Sequence, residues 1–576
     1  MRGPSENLPG KRVLGIAVGI ALLAGVACSG APRDSSIAGR TKVHPKVLRA
    51  AEAHPSSLLP LIVREAAPRS DAAERLVEGL GGTVTHDLSI IGSFSAELPG
   101  SKLDGLLASP HVVKVWGDGR IQMLNEEDIL DPTDDYDQAS PNRVWQKAIR
   151  LADARPYKGS GITVALLDTG IRPVPDLAGR ILASADFTSE GDGLDRYGHG
   201  THMAGIIAGN GTSSGGTWTG VAPKANLVSV KVAGADGSTD VSVVIAGLQW
   251  IVAHRQTFKI RVLNLSFGTD SKQSYVVDPL NYAVEQAWLS GIFVVMAAGN
   301  GGPHPATINK PADDPYVVSV GAADVNGTSD RSDDFVAGFS SRGPTPHNVA
   351  KPDLVAPGIS IVSNRAVGST VDVAHPLAIL DDHYMKGTGT SQAAAIISGV
   401  AALMYDARSM SPNVAKTTIR GSSGGVTRDQ PGGGRGLINA ARAVKHSYEG
   451  TYVDKPANQN LVPSNGLGSL DLSRGSFHVD VDVNGDGLLD VLQGETGFGW
   501  SEGSWSAGSW RNASWSAGSW RATEWSAGSW RGAEWSAGSW RTGEWSASSW
   551  RSDIWSASSW SASSWRADSW SASVWS

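Results

Sequence analysis

The sequence predicts an α/β protein in which a parallel sheet is flanked by helices and preceded by a small α+β ferredoxin-like unit. Two patterns carry this. Over about 300 residues, buried-strand runs alternate with helical patterns, as a sheet covered on both faces requires. Upstream, about sixty residues read in the order β-α-β-β-α-β. A third observation locates the chemistry, because polar residues follow the carboxyl ends of the predicted strands, where the ligands of such sheets bind.

At 576 residues the chain is too long for one domain. Composition divides it into residues 1–28, a targeting segment; 29–57, a linker; 58–124, the small α+β unit; and 125–141, an acidic linker. Residues 142–447 form the main α/β domain, 448–498 a short β segment and 499–576 a repeat array. A net charge of −7 with no basic block argues against a nucleic-acid partner. A single cysteine rules out an internal disulfide framework. Lys11 and Arg12 precede an apolar run over 13–27 that is short for a membrane span. The small residues Gly25 and Ala27 suit cleavage before Cys28, which resembles the lipid-attached cysteine of bacterial lipoproteins. Lipidation and simple secretion both place the protein outside the cytoplasm, in the medium or at the cell surface.

In the α+β unit, LPLIVRE reads as a strand, and Asp71 with Glu74 reads as a capping box opening a helix stopped by Gly81 and Gly82. TVTHDL and SFSAE follow as strands, SKLDGLLAS as a helix capped by Ser101, and VVKVW as the last strand. The linker is dense in acids from Glu126 to Asp137, exposed and open to proteolysis. Beyond it GITVALL, NLVSVKV, VLNLS and FVVMA read as buried strands, and 240–255 and 279–290 as helices.

Chemistry-bearing residues sit at the ends of these elements. Asp168 follows GITVALL, Ser266, Phe267 and Gly268 end VLNLS, and Asn300 follows FVVMA. His199 lies between two glycines where an apolar helix begins, and histidine is the side chain whose ordinary pKa suits base work. Ser391 stands between a Gly/Thr-rich turn and the apolar run up to Met404. It reads either as a helix N-cap or as a nucleophile at a helix N-terminus, and a serine nucleophile needs a base. Asp168, His199 and Ser391 come in one of the chain orders that aspartate–histidine–serine triads adopt.

These segments resemble the subtilisin-like serine proteases, the subtilase family. ALLDTGI, GHGTHMAG, AAGN and GTSQAAAIISG carry the resemblance, joined by NLSFG, FSSRGPT, KPDLVAPG and GGGRGLINAARAV. It implies a subtilisin-like catalytic domain, a serine endopeptidase acting through an acyl-enzyme without a catalytic cofactor. Ser391 would be the nucleophile, His199 the base, Asp168 its orienting partner and Asn300 an oxyanion donor. Ser266 to Gly268 would form an edge on which a peptide substrate lies as an added strand. The preceding α+β unit would be a propeptide, acting as folding chaperone and inhibitor of a self-processed zymogen. Gln392, Ala395 and Ile396 replace a methionine, a proline and a histidine frequent in the family, and Arg172 and Pro175 replace an acid and a histidine.

Past the protease, Asp482, Asn484, Asp486 and Asp490 surround Gly487 with the alternation of oxygen ligands expected of a structural calcium loop, or of a turn rich in Asx residues. From Trp500 to Trp575 tryptophan recurs every fifth residue. Five helical steps rotate by about 140° and five strand steps reverse the face, so neither regular element collects one stripe. A disordered linker, a stacked β-array serving as a stalk and a module binding surface glycan remain as readings. From another class comes a catalytically silent surface-binding protein whose working part is the tryptophan array.

Overall fold

The computed structural model describes residues 42–43, 45–67, 70–118, 120–122, 144–154 and 156–475, the strand pair at 480–481 and 490–491, and six strands between Ser504 and Ala557. Cys28, the whole acidic linker and residues 482–489 lie outside them.

The N-terminal unit runs α1 (Pro45–Ala53), β1 (Leu58–Glu65), α2 (Ala72–Gly79), β2 (Thr83–Leu88), β3 (Ser93–Pro99), α3 (Leu103–Leu107) and β4 (Val112–Gly117). Its sheet order is β2-β3-β1-β4 with antiparallel neighbours, as a split β-α-β pair demands. Alternation along β1 sorts its side chains. Leu59, Leu61 and Val63 join Leu103 and Leu106 of α3 in the unit's own core, whereas Ile62 faces the main domain. The two expected caps are corrected. Asp71 precedes α2 but makes no capping bond, and its carboxylate instead accepts from Arg75 Nη2 at 2.6 Å. Ser101 lies within a 3₁₀ turn, Gly100–Lys102, ahead of α3.

The main sheet contains β6 (Thr163–Asp168), β7 (Ile181–Asp186), β8 (Asn226–Lys231), β10 (Ile260–Leu265), β11 (Phe293–Ala297), β12 (Val318–Asp324), β13 (Phe335–Val336) and β14 (Leu354–Pro357). The order β13-β12-β11-β10-β6-β8-β7 is parallel except at β13, and β14 pairs with β12. Every residue of β6 and β11 is buried, which is why these strands read as unbroken apolar runs. Flanking helices include α4 (His199–Ala208), α5 (Val241–His254), α6 (Pro279–Leu289) and α7 (Thr390–Ala407). The short strands β5 (Arg120–Gln122) and β9 (Ser238–Asp240) pair with each other.

Helix α7 is buried from Thr390 to Tyr405, the all-round apolarity of a helix inside a domain. Its N-cap is Gly389, so Ser391 lies within the first turn and is not the cap expected from sequence. Ile62, Leu88, Ile91 and Trp116 of the N-terminal unit share one apolar cluster with α5, α6 and the sheet, and Ile90 N donates to Gln249 Oε1 of α5 at 2.8 Å. Among the described residues no helix is long and apolar enough to cross a membrane.

In the C-terminal array, β19 (Ser504–Ala507), β21 (Trp520–Ala527) and β23 (Trp540–Ala547) form one parallel sheet. β20 (Trp510–Ala517), β22 (Trp530–Ala537) and β24 (Trp550–Ala557) form a second. Successive strands alternate between the sheets, so the pairing repeat is twenty residues and like residues pair: Trp510 with Trp530, Trp530 with Trp550, Trp520 with Trp540. The strands β17 (Asp480–Val481) and β18 (Asp490–Val491) pair across the candidate calcium loop.

Candidate active site

Asp168 ends β6, and its Oδ1 accepts from Thr169 N at 2.8 Å and from His199 Nδ1 at 2.7 Å. The carboxylate is thereby aimed by its own backbone, and it aims the imidazole in turn. That bond fixes the tautomer with the proton on Nδ1 and leaves Nε2 on the far side of the ring. Both side chains are buried.

His199 opens α4, whose N-cap Gly198 has φ +110°, a conformation that side-chain-bearing residues avoid. On its other side, a Cβ on Gly200 would lie 2.1 Å from Gly170 O and 3.2 Å from Asp168 Oδ1. Only glycine lets the helix start approach the end of β6 this closely. The approach is tied by Thr169, whose hydroxyl accepts from Gly200 N at 2.9 Å and donates to Asp195 Oδ1 at 2.8 Å.

Asp195 is a positioning residue that sequence reading passed over. Its carboxylate also accepts from Gly198 N at 2.6 Å and from Thr201 N and Oγ1 at 2.7 and 2.6 Å, holding the turn on both sides of His199. Burial raises its pKa, with these donors opposing the shift. An acid just ahead of GHGTH was the available signal. His202, one helical turn beyond Gly198, is also buried, and desolvation followed by the proximity of His199 lowers its pKa to about 4.

Ser391 is fully buried, and among the described residues its hydroxyl has no hydrogen-bond partner. Its neighbour Thr390 donates from N and Oγ1 to Asn300 Oδ1 at 3.0 and 2.9 Å. With Oδ1 taken, the Asn300 amide presents Nδ2, a buried donor without a partner among the described residues. A Cβ on Gly389 would stand 3.4 Å from that Nδ2 and 3.8 Å from Ser391 N, so both donors face the same turn. A buried amide N–H without a partner costs free energy unless one arrives, and an oxyanion is such a partner.

Gln392 packs against Gly387, the same glycine that His202 approaches from α4. The departure from the family's residue there falls beside the site, since a Cβ on Gly389 would lie 2.9 Å from Gln392 Oε1 and 3.4 Å from Asn300 Nδ2. Arg172 N donates to Thr201 Oγ1 at 2.9 Å and its guanidinium to Val367 O at 2.8 Å, while Pro175 opens a 3₁₀ turn.

Ser266, Phe267 and Gly268 extend β10 past its carboxyl end. Their side chains are interior: Ser266 Oγ accepts from Asn264 Nδ2 at 3.1 Å, and Phe267 is buried. The next residue, Thr269, bridges to Lys310. Sequence reading missed β9, a three-residue strand after a Gly-containing turn. The chain's own Arg120–Gln122 lies antiparallel on it, with Ile121 opposite Thr239. An extended segment added to a free edge is the way a protein captures peptide backbone. Among the described residues no cluster of three or more His, Cys, Asp or Glu could hold a metal. Asp482, Asn484 and Asp486 lie outside the described residues.

A buried Asp–His pair, a serine in a helix's first turn and a buried amide donor beside it, at the carboxyl edge of a parallel sheet, are groups that suit hydrolysis by a serine nucleophile. The Subtilase family model matches residues 159–454. The chain is 36% identical to Serine protease AprX of Bacillus subtilis over 363 residues, 62% of this chain and 79% of the relative. It is 33% identical to M-protease of Shouchella clausii, with 62% and 81% covered, and 31% identical to Thermostable alkaline protease of Halalkalibacterium halodurans, with 67% and 91% covered. The chain belongs to the subtilase family and is a serine endopeptidase.

Proposed function

We propose that this endopeptidase is made as a zymogen that cuts its own linker, with Ser391, His199, Asp168 and Asn300 as its working groups. Ser391 Oγ adds to the scissile carbonyl carbon as His199 Nε2 takes its proton, and Asp168 steadies the imidazolium. Asn300 Nδ2 and Ser391 N hold the oxyanion, a contribution of about 3–4 kcal/mol to the transition state. The C–N bond breaks as His199 returns the proton to the leaving amine, and water, deprotonated by the same histidine, frees the acyl group from Ser391.

The pairing of β5 with β9 is the observation that carries this reading. The last described residues of the α+β unit, Arg120–Gln122, lie on a strand edge of the protease while the rest of the unit packs on α5 and α6. A propeptide acting as inhibitor and folding partner needs both contacts. The maturation bond then lies beyond Gln122, toward the acidic stretch. Substrate peptides take the same edge together with the Ser266–Gly268 segment.

Export through residues 1–28, with Cys28 as a lipid site or a cleavage neighbour, belongs to the same proposal, as do calcium at Asp482, Asn484, Asp486 and Asp490 as a structural ion and surface glycan as the partner of the tryptophan array. The decisive experiment is intact-mass analysis of the purified chain and its Ser391→Ala variant. Conversion of the first alone, with fluorophosphonate labelling of Ser391, is the expected result. Equal processing of both, or a folded and processed chain that resists labelling, rejects the proposal.

A further inference from the structure

We infer that residues 461–475, an arm beyond the family-matched segment, form a latch that keeps the N-terminal unit on the protease after the linker is cut. This rests on the reading of that unit as a propeptide.

The arm is fastened first to the protease. Tyr275 OH donates to Val462 O at 3.1 Å, Asn465 N to Val276 O at 2.7 Å, and Gly468 N to Val277 O at 2.6 Å. Thr269 and Ser271 hydroxyls donate to Ser473 O and Leu472 O, and Ser464 N donates to both carboxyl oxygens of Glu285 at 2.9 and 3.0 Å. These anchors run from the residue after Gly268 to the middle of α6.

The same arm then reaches across to the N-terminal unit. Arg474 Nη2 donates to Gly117 O, at the end of β4, with Asp118 Oδ1 3.9 Å away. Arg64 Nη1 of β1 donates to Gly466 O at 2.9 Å. β1 and β4 are neighbours and β4 is the sheet's outer strand, so the arm clasps that edge. Arg474 is fully buried, and a buried guanidinium is tolerated only while its partners stay. Departure of the N-terminal unit removes Gly117 and Asp118 together. The unit and the arm therefore hold each other, and dissociation has to break this polar clasp as well as the apolar contact at Ile62 and Trp116.

The test uses the full chain and its Arg64→Ala, Arg64→Lys and Arg474→Ala variants, following linker cleavage by intact mass and activity on a peptide substrate. Cleavage at an unchanged rate, with the delay between cleavage and full activity shortened about tenfold in both alanine variants, is expected for loss of a charged hydrogen bond. Arg64→Lys should restore part of the delay, and kcat/KM of the matured enzyme should not change. Should Arg474→Ala not fold, Arg64→Ala decides, because Arg64 leaves with the unit. Normal cleavage with an unaltered delay in Arg64→Ala overturns the latch and spares the zymogen reading. Absence of cleavage in the unmutated chain overturns both.

Discussion

Thr390 holds Asn300 by two hydrogen bonds to one oxygen, of 3.0 and 2.9 Å, so the direction of the Asn300 N–H donors is set by the residue before Ser391. Asn300→Ala should lower kcat by about 10²–10³ with little change in KM, since the donor acts on charge that develops only in the transition state. Thr390→Val, which keeps the backbone bond and loses the hydroxyl, should lower kcat by about tenfold. Steady-state kinetics on a peptide substrate separates the two.

Gly200→Ala should cripple the enzyme without touching a reacting atom. Its Cβ would meet Gly170 O at 2.1 Å, and backbone there cannot yield cheaply. The start of α4 must move, and an ångström of displacement at His199 is worth about 10²-fold in kcat/KM. Circular dichroism should show the fold retained, with a stability loss of about 1–3 kcal/mol by denaturant titration.

Asp195→Ala should be the costlier change for stability. Gly198 N, Thr201 N and the hydroxyls of Thr169 and Thr201 lose their acceptor at once, and each buried orphan costs about 1–3 kcal/mol before relaxation. A fall in Tm together with loss of activity is expected. Activity lost at an unchanged Tm contradicts the assignment of Asp195 as the brace of the His199 turn.

Alkaline pH should destabilise the fold around Glu285 of α6. Burial, and then the neighbouring Asp314 carboxylate, raise the Glu285 pKa far above the usual carboxylate range. An acid with a raised folded-state pKa binds its proton more tightly folded than unfolded. Its contribution is therefore whole below the ordinary glutamate pKa and is lost as pH rises toward the folded value. Glu285→Gln keeps an acceptor for Ser464 N and cannot ionise. Its unfolding free energy should fall less steeply between neutral and alkaline pH than that of the unmutated chain, by up to about 1.4 kcal/mol per pH unit.

Much of this was legible in the residues themselves. The buried strands announced themselves as apolar runs, and α5 and α6 begin and end within a residue or two of the expected bounds. Asp168, His199, Asn300 and Ser391 were named from their places at element ends; the structure bonds Asp168 to His199 and ties Asn300 to Thr390, the neighbour of Ser391. Several features were not legible. Whether Asp71 or Ser101 caps a helix depends on side-chain direction, which residue type alone leaves open. β9 is too short to show a period, and its partner lies more than a hundred residues upstream. The arm was expected as part of a short β segment over 448–498, but residues 461–475 form turns and a short helix whose anchors all come from other parts of the chain.

Within the C-terminal array, pairing is between like residues twenty apart while the strand unit is ten residues long. In-frame copying or loss of one whole unit leaves every upstream pairing intact and only changes which sheet carries the last strand. Loss of a single pentad instead reverses the faces of everything that follows, because five strand steps are odd. The gene can therefore lengthen or shorten this tail by whole units without asking the protein to refold, and projections of different reach are open to close relatives at almost no structural cost.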